Sequence, residues 1–425
     1  MKPKDDELLS SWLVRLASAH SLKLHSFCAL VWSRDKQIWN RDIDKCADPS
    51  VVTLLAEKTA TPRDLAANTT LASYEGYLYE RHNPYGNTQW IMSVGVYHRI
   101  RTGYGLQFCP RCLSDGADTE VYYRRAWRLA FVTFCEQHRV SLLDRCPRCS
   151  AAINFHRNEL GDRRKWMPES VTLCHACRYD LRETPVDLVE RPSDCRILEF
   201  QQSLTKIMQR GWAQVPEHGT VYSHLYFTVL RQLMKICATG KRAARLREAL
   251  RRELRIETPV STSTNRYPEI ERLDILERRK LLAMARHLLD EWPRTFIQIC
   301  QANKVWSAAL LRDLDPSPFW YWSVVHDYLY RVSYTPSDRE IRSAIDHLNR
   351  TGVQLSKKSV SRCLGTNNDV FRKRRTGDLL YPQNICSSRN SRIEPSDSAT
   401  EIGFRKRKSE SAFADAVNGV PGSKP

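Results

Sequence analysis

The sequence has no apolar run approaching the ~18 residues of a membrane-spanning helix. Its opening, MKPKDDELLSSWLVRL, is acidic where a secretory leader is basic, and its apolar residues are interrupted. The expectation is a cytoplasmic chain with no membrane partner. Familiar catalytic signatures are also missing. HExxH, GxSxG and GxGxxG do not occur. Gly240-Lys241 imitates the end of a phosphate-binding loop, but Lys235 stands where the first glycine belongs, and Arg242 where Ser or Thr belongs. Zinc deaminases need H-x-E ahead of P-C-x-x-C. Here the cysteine pairs read C-P-x-C, and His82 and His98 are followed two residues on by Pro84 and Ile100. No enzyme is expected. Acidic residues are the minority, 48 against 66 Lys and Arg, for a formal net charge of +18. That excess favours a polyanionic partner, most simply double-stranded DNA.

Cysteine, in contrast, is plentiful. Fourteen cysteines in a reducing compartment point to metal ligation rather than disulfides. Eight Cys and His residues form four pairs, Cys109/Cys112, Cys135/His138, Cys146/Cys149 and Cys174/Cys177, each with two intervening residues. One tight turn at that spacing aims two side chains at one ion. Zn²⁺ takes four such donors in a tetrahedron, so the pairs supply two ions. The simplest assignment is sequential, giving one set of three cysteines and a histidine (Cys109, Cys112, Cys135, His138) and one of four cysteines (Cys146, Cys149, Cys174, Cys177). Spacing alone leaves a cross-braced pairing open. Four protein ligands leave no position for a reactive water, so both zinc ions are expected to be structural. His175, inside the last pair, is a substitute donor. Cys28, Cys46, Cys195, Cys237, Cys300, Cys363 and Cys386 stand alone and read as small hydrophobes or inert thiols.

Apolar periodicity predicts a mainly α, multi-domain chain in which helix-turn-helix units flank a tandem zinc-finger module. An N-terminal helical region is expected over 1–73, with helices on either side of His20–Lys23 and a further pair in 50–68, where Thr61 caps and Pro62 opens the second helix. The zinc module spans 74–185. A basic helical region (186–256) and a linker (257–268) lead to a C-terminal helical domain (269–376), and 377–425 reads as a disordered tail. Two more helix-turn-helix candidates lie at 295–314 and 335–365. In the latter, Gly352 permits the turn and Ser356 caps a helix from Lys357 to Leu364. Val360, Cys363 and Leu364 should face inward, leaving Lys357, Lys358, Ser359 and Arg362 toward the major groove. Arg372 and Lys373, with Arg124 and Arg125 in the zinc module, are further candidate phosphate contacts, and Arg128 reads the same way. The first helix shows only Ser10, Ser11, Arg15 and Ser18 as polar breaks, which suits a protein partner.

The opening LLSSWLVRLASAHSLKLHSF, then FCPRCL, YRRAWRL, FCEQHRVSLLDRCPRC and CHAC, resemble the TniQ family over roughly residues 8–180. The later WPRTF and FWYW segments resemble its longer, TnsD-type members. The resemblance implies a non-catalytic adaptor that selects the target site for a transposon and recruits an AAA+ ATPase regulator. Further partners it implies are the transposase, an RNA-guided targeting complex or a second copy of the chain. The eight paired residues correspond to the family's zinc ligands, and no catalytic residue carries over. A zinc-supported nuclease or recombinase, and a zinc-containing transcriptional regulator, are the alternatives.

Overall fold

Interrupted apolar periodicity near the N-terminus gives two helices, α1 (Leu9–Ala19) and α2 (Leu24–Trp32), with the break where the spacing predicts it. This computed structural model describes residues 1–33, 38–97, 100–115, 120–157, 170–258, 269–330 and 336–366. The polar breaks of α1 do not face outward. Every residue from Leu9 to Ala17 is buried, including Ser10, Ser11 and Arg15. Glu7 accepts hydrogen bonds from Ser11 Oγ at 3.0 Å and Arg15 Nε at 2.9 Å. Asp44, on the short α3 (Ile43–Cys46), accepts from the Ser10 amide at 2.7 Å and the Ser10 hydroxyl at 2.8 Å. The expected partner-facing surface is therefore an internal polar network. Helices α4 (Pro49–Lys58) and α5 (Arg63–Ala67) complete this region. Pro62 is the N-cap of α5 rather than its first residue, and the Thr61 hydroxyl bonds to Thr59 instead of capping.

The following stretch has little regular structure. It holds α6 (Pro110–Ser114) and two minimal antiparallel ribbons, β1 (Val96–Tyr97) with β2 (Ile100–Arg101) and β3 (Phe134–Cys135) with β4 (Val140–Ser141). Residues 122–133 lead from the half-buried Tyr122, Arg124 and Arg125 through one 3-10 turn at Arg125–Arg128 into the interior. Trp127, Leu129 and Phe131 are buried, as expected, and so is Arg128, which offers nothing to a phosphate. Its guanidinium bonds Asp42 (Nη1–Oδ1, 3.1 Å), Asp44 (3.4 Å) and the Met92 carbonyl (2.9 Å). Arg101 Nη2 joins Asp44 at 3.2 Å. Two arginines and two aspartates thus neutralise one another in the core. Burial raises both carboxyl pKa values. For Asp42 it is outweighed by Arg128's charge and hydrogen bonds, which hold the group below its ordinary value. For Asp44 burial prevails and the group is raised.

Helices dominate from residue 192. α7 (Pro192–Arg210) opens on proline and ends at Gly211, whose φ of 78° forms the left-handed cap. The next residues form a hairpin, β5 (Trp212–Val215) with β6 (Gly219–Tyr222), inside a region read as continuously helical. α8 (Ser223–Ala238), α9 (Ala244–Glu253), α10 (Ile275–Leu289), α11 (Arg294–Ala302), α12 (Ser307–Leu310) and α13 (Phe319–Leu329) follow. The candidate pair at 295–314 has a second helix of only four residues, α12. Leu246 and Leu250 seat α9, as its leucine spacing predicts. One apolar core runs from Leu8 to Leu329, through the N-terminal helices, the cysteine-rich stretch and these helices. α10 is tied in by two buried arginines. Arg278 donates to Ala130 O (2.6 Å) and Gln107 Oε1 (3.1 Å), and Arg279 to Thr133 O (2.8 Å). Burial pushes each guanidinium down to about 10.

The chain divides into two units, the first ending at residue 331 and the second starting at 332. In the second, α14 (Asp338–Arg350) and α15 (Lys357–Cys363) pack through Ile341, Ala344, Ile345, Leu348 and Val360. Ser337 and Glu340 form a capping box, and Ser356 caps α15 as predicted. Gly352 makes the turn at φ 68°. Ser361, rather than Cys363, is the residue that turns inward. Among the described residues no helix is long and apolar enough to cross a membrane.

Removing one partner from a buried ion cluster strands the others and costs about 3–5 kcal/mol. Asp44→Ala should therefore lower stability to urea by that amount. A loss below ~1 kcal/mol would show that Arg101 and Arg128 do not depend on it.

Candidate metal centres

The four pairs are built by two local devices. Cys109 is the N-cap of α6, with Pro110 at the first helical position, and its Sγ accepts from the Cys112 amide at 3.5 Å. The other three pairs share one turn. The residue after the second donor adopts a left-handed backbone, Arg139 (φ 53°), Ser150 (φ 57°) and Arg178 (φ 64°). Its N–H returns to the carbonyl of the first cysteine at 2.9 Å in each case, on Cys135, Cys146 and Cys174. This turn points both donors to one side. No glycine marks it, so only the C-x-x-C/H spacing reveals it.

The pairs combine sequentially. In each four-residue set the donor atoms all lie within 4.8 Å of one another. In the first set, Cys112 Sγ is 3.6 Å from Cys135 Sγ, and His138 Nδ1 is 3.6, 3.3 and 3.5 Å from the sulfurs of Cys109, Cys112 and Cys135. In the second, Cys146–Cys177 and Cys149–Cys174 sulfur separations are 3.7 and 3.6 Å. A tetrahedral ion with Zn–S of ~2.3 Å and Zn–N of ~2.0–2.1 Å sets S···S near ~3.8 Å and S···N near ~3.6 Å. A disulfide would need ~2.05 Å. Each set could thus hold one metal ion, and the donors group sequentially rather than in the cross-braced pairing. The donor chemistry is compatible with zinc. His175 stays outside the second set. Among the unpaired cysteines, Cys28, Cys237 and Cys300 are buried, whereas Cys363 is exposed.

The two sets differ in their surroundings. Cys109, Cys135, Cys146 and Cys174 are buried, but Cys149 is exposed, so the second set is the more open. In the first, Asp115 Oδ2 lies 2.8 Å from His138 Nε2 and so receives the proton opposite the ligating Nδ1. A carboxylate there fixes the ring and its tautomer. Asp115 also accepts from Gln137, whose Oε1 accepts from Arg124 at 3.3 Å. Hydrogen bonds from Cys109 and then Cys112 hold the Cys135 thiol below its ordinary value. Sequence reasoning missed Asp115. Its position six residues after Cys109 carries no signal.

The candidate DNA residues fall into three groups. Lys357, Lys358 and Arg362 are exposed on α15. The Ser359 hydroxyl is used in the cap, accepting from the Ser356 amide at 2.8 Å and donating to Gln354 O at 2.9 Å. Arg124 and Arg125 are half-buried beside the first metal set. Arg124 lies over the Tyr122 ring, and Arg125 pairs with Asp6 at 3.3 Å. Arg372 and Lys373 lie outside the described residues.

Loss of a second-layer carboxylate typically lowers metal affinity 10–100-fold. Asp115→Asn should weaken one of the two ions by that factor in a chelator competition and leave the other unchanged. Equal weakening of both, or of neither, would refute the assignment.

The TniQ family model matches residues 1–142. No curated protein matches the chain. The matched stretch contains α1, the Asp42–Asp44–Arg101–Arg128 cluster and the whole first donor set, and it ends between His138 and Cys146. The likeness to the TniQ family thus rests on residues 1–142, about a third of the chain.

Proposed function

We propose that the chain is a non-catalytic, DNA-binding adaptor that works in the cytoplasm, selects the target site for a transposon and recruits an AAA+ ATPase regulator. The TniQ domain is associated with target-site selection in transposition. The observation that carries the reading is the TniQ match over a segment whose metal donors form a four-protein-ligand set. Such a set holds a fold together and leaves no coordination position for substrate. The two ions are zinc. Each ties together segments that no sheet or long helix joins, so metal binding is coupled to folding, at about 10–16 kcal/mol in zinc-finger peptides.

Target DNA is held by α15. Lys357, Lys358 and Arg362 project from it, and the Ser337 and Ser356 caps fix the two helices of that unit. Arg372 and Lys373 extend the same basic run, and Arg124 and Arg125 supply phosphate contacts from the first unit. Replacing Lys357, Lys358 and Arg362 by Ala should weaken DNA binding. If each neutralises one phosphate, the slope of log K against log salt should flatten by about 2.7. An unchanged slope in the folded variant would remove α15 from the interface. For the role itself, insertion sites would be mapped in cells with and without the protein. Collapse of a preferred target to scattered or absent insertion supports the adaptor, and an unaltered distribution refutes it.

A further inference from the structure

The two donor sets have equal ligand numbers and unequal cover. In the first, Cys109 and Cys135 are buried and Cys112 is half-buried. The Arg124 guanidinium hydrogen-bonds the Cys112 sulfur, and Asp115 closes the outer side of His138. In the second, Cys146 and Cys174 are buried, but residues 147–150 are all exposed, Cys149 among them. The Cys149 sulfur is met by the Ala151 amide and by the other three sulfurs of its set. Oxidation of a cysteine follows thiolate character and access, and a metal-bound thiolate keeps both when it lies at the surface.

The chain on either side of the second set is anchored without it. The Cys146 amide donates to Ala151 O at 2.9 Å, and the Cys174 amide to Tyr179 O at 2.8 Å, so each turn closes on itself. Ile153, Phe155 and Leu181 belong to the core. The Ser141 amide donates to Asp187 O at 2.8 Å, and the Val189 amide to Arg139 O at 2.9 Å, which ties the chain beyond the second set to the β3–β4 turn of the first. A change at the four sulfurs therefore stays with the two turns that carry them.

We infer that the second set is a peroxide-sensitive switch, in which Cys149 is oxidised first and Cys174 closes on it. The inference rests on the zinc occupancy proposed above. The Cys149 thiolate attacks hydrogen peroxide. An S–O bond forms, the O–O bond breaks and hydroxide leaves, giving a sulfenic acid. Cys174 Sγ, 3.6 Å away, attacks the Cys149 sulfur. An S–S bond forms, the S–O bond breaks and a second hydroxide leaves. Two protons from solvent turn the hydroxides into water, so two thiolates give up two electrons and one peroxide takes them. Cys146 and Cys177 are then half of a tetrahedral site, and the ion is lost. The disulfide draws the two sulfurs together by about 1.5 Å, from 3.6 Å to ~2.05 Å. The covered first set keeps its ion, so the segment that matches the TniQ model holds together throughout.

The test uses the full, metal-loaded chain. Its metal content is measured, and one equivalent of hydrogen peroxide is added with a chromogenic zinc chelator, against the chelator alone. One ion should be released at least about tenfold faster than the other. Peptide mass mapping should find a Cys149–Cys174 disulfide, and a dithiol with added zinc should reverse the change. Cys149→His keeps a zinc donor without the thiolate, and should slow the peroxide-driven release at least about tenfold. Cys363→Ser removes an exposed thiol outside both sets and should leave the release unchanged. Fewer than two ions before peroxide is added refutes the occupancy itself. With two ions present, release of both together, release of neither, or a first disulfide anywhere other than Cys149–Cys174 overturns the inference. If Cys149→His does not hold two ions, the mass map of the native chain decides.

Discussion

Buried irregular backbone is the constraint on which the first unit is organised. Residues 127–133 pass through the core outside any strand, with one isolated bridge from Leu129 to Ile91, yet buried amide and carbonyl groups need partners. Side chains from distant elements provide them. Gln201 of α7 takes the Thr133 and Phe134 amides on its Oε1 and donates to Phe134 O. Arg278 and Arg279 of α10 take the carbonyls of Ala130 and Thr133. Gln107 donates to Val132 O. Each lost partner would leave a group costing about 1–3 kcal/mol. α7 and α10 are therefore part of the cysteine-rich stretch rather than an attachment to it. The N-terminal helices are bound in through Asp42 and Asp44 in the same way.

What was legible in the sequence was local. The C-x-x-C/H pairs reveal themselves because both donors come from one turn. The break between α1 and α2, the Ser356 cap and the Gly352 turn are likewise set by a few adjacent residues. What was hidden depends on distance along the chain. Asp44 and Arg101 are 57 residues apart, and Arg128 and Asp42 are 86. Read alone, each looks like a surface charge, and Ser10 and Arg15 look like polar breaks on a partner-facing helix. The hairpin at 212–222 was missed for another reason. Gly211 was a visible stop, but the four-residue strands that follow alternate only briefly, Trp212 and Gln214 outward with Ala213 and Val215 inward.

Pairing of the metal ligands needed the fold. Equal spacing made sequential and cross-braced sets equivalent on paper, and the antiparallel contact between Phe108 and Leu143 decides between them. It brings the Cys109 turn beside the β3–β4 turn that carries Cys135 and His138. Cys146 is left to find its partners further on. The family match stops at this junction, so the deeper set lies within the TniQ segment and the more open one beyond it.

The internal charges of the N-terminal region also bear on how the chain is made. Glu7, Arg15 and Asp44 emerge from the ribosome early, but Arg101 and Arg128 come much later. At about 5–20 residues per second, some 6–24 s separate the appearance of Ser10 from that of Arg128. During that interval the α1 side chains that end in the core are exposed, and its apolar faces have no lasting cover. The buried side chains of α1 thus gain their full set of partners only once the YRRAWRL segment has been translated.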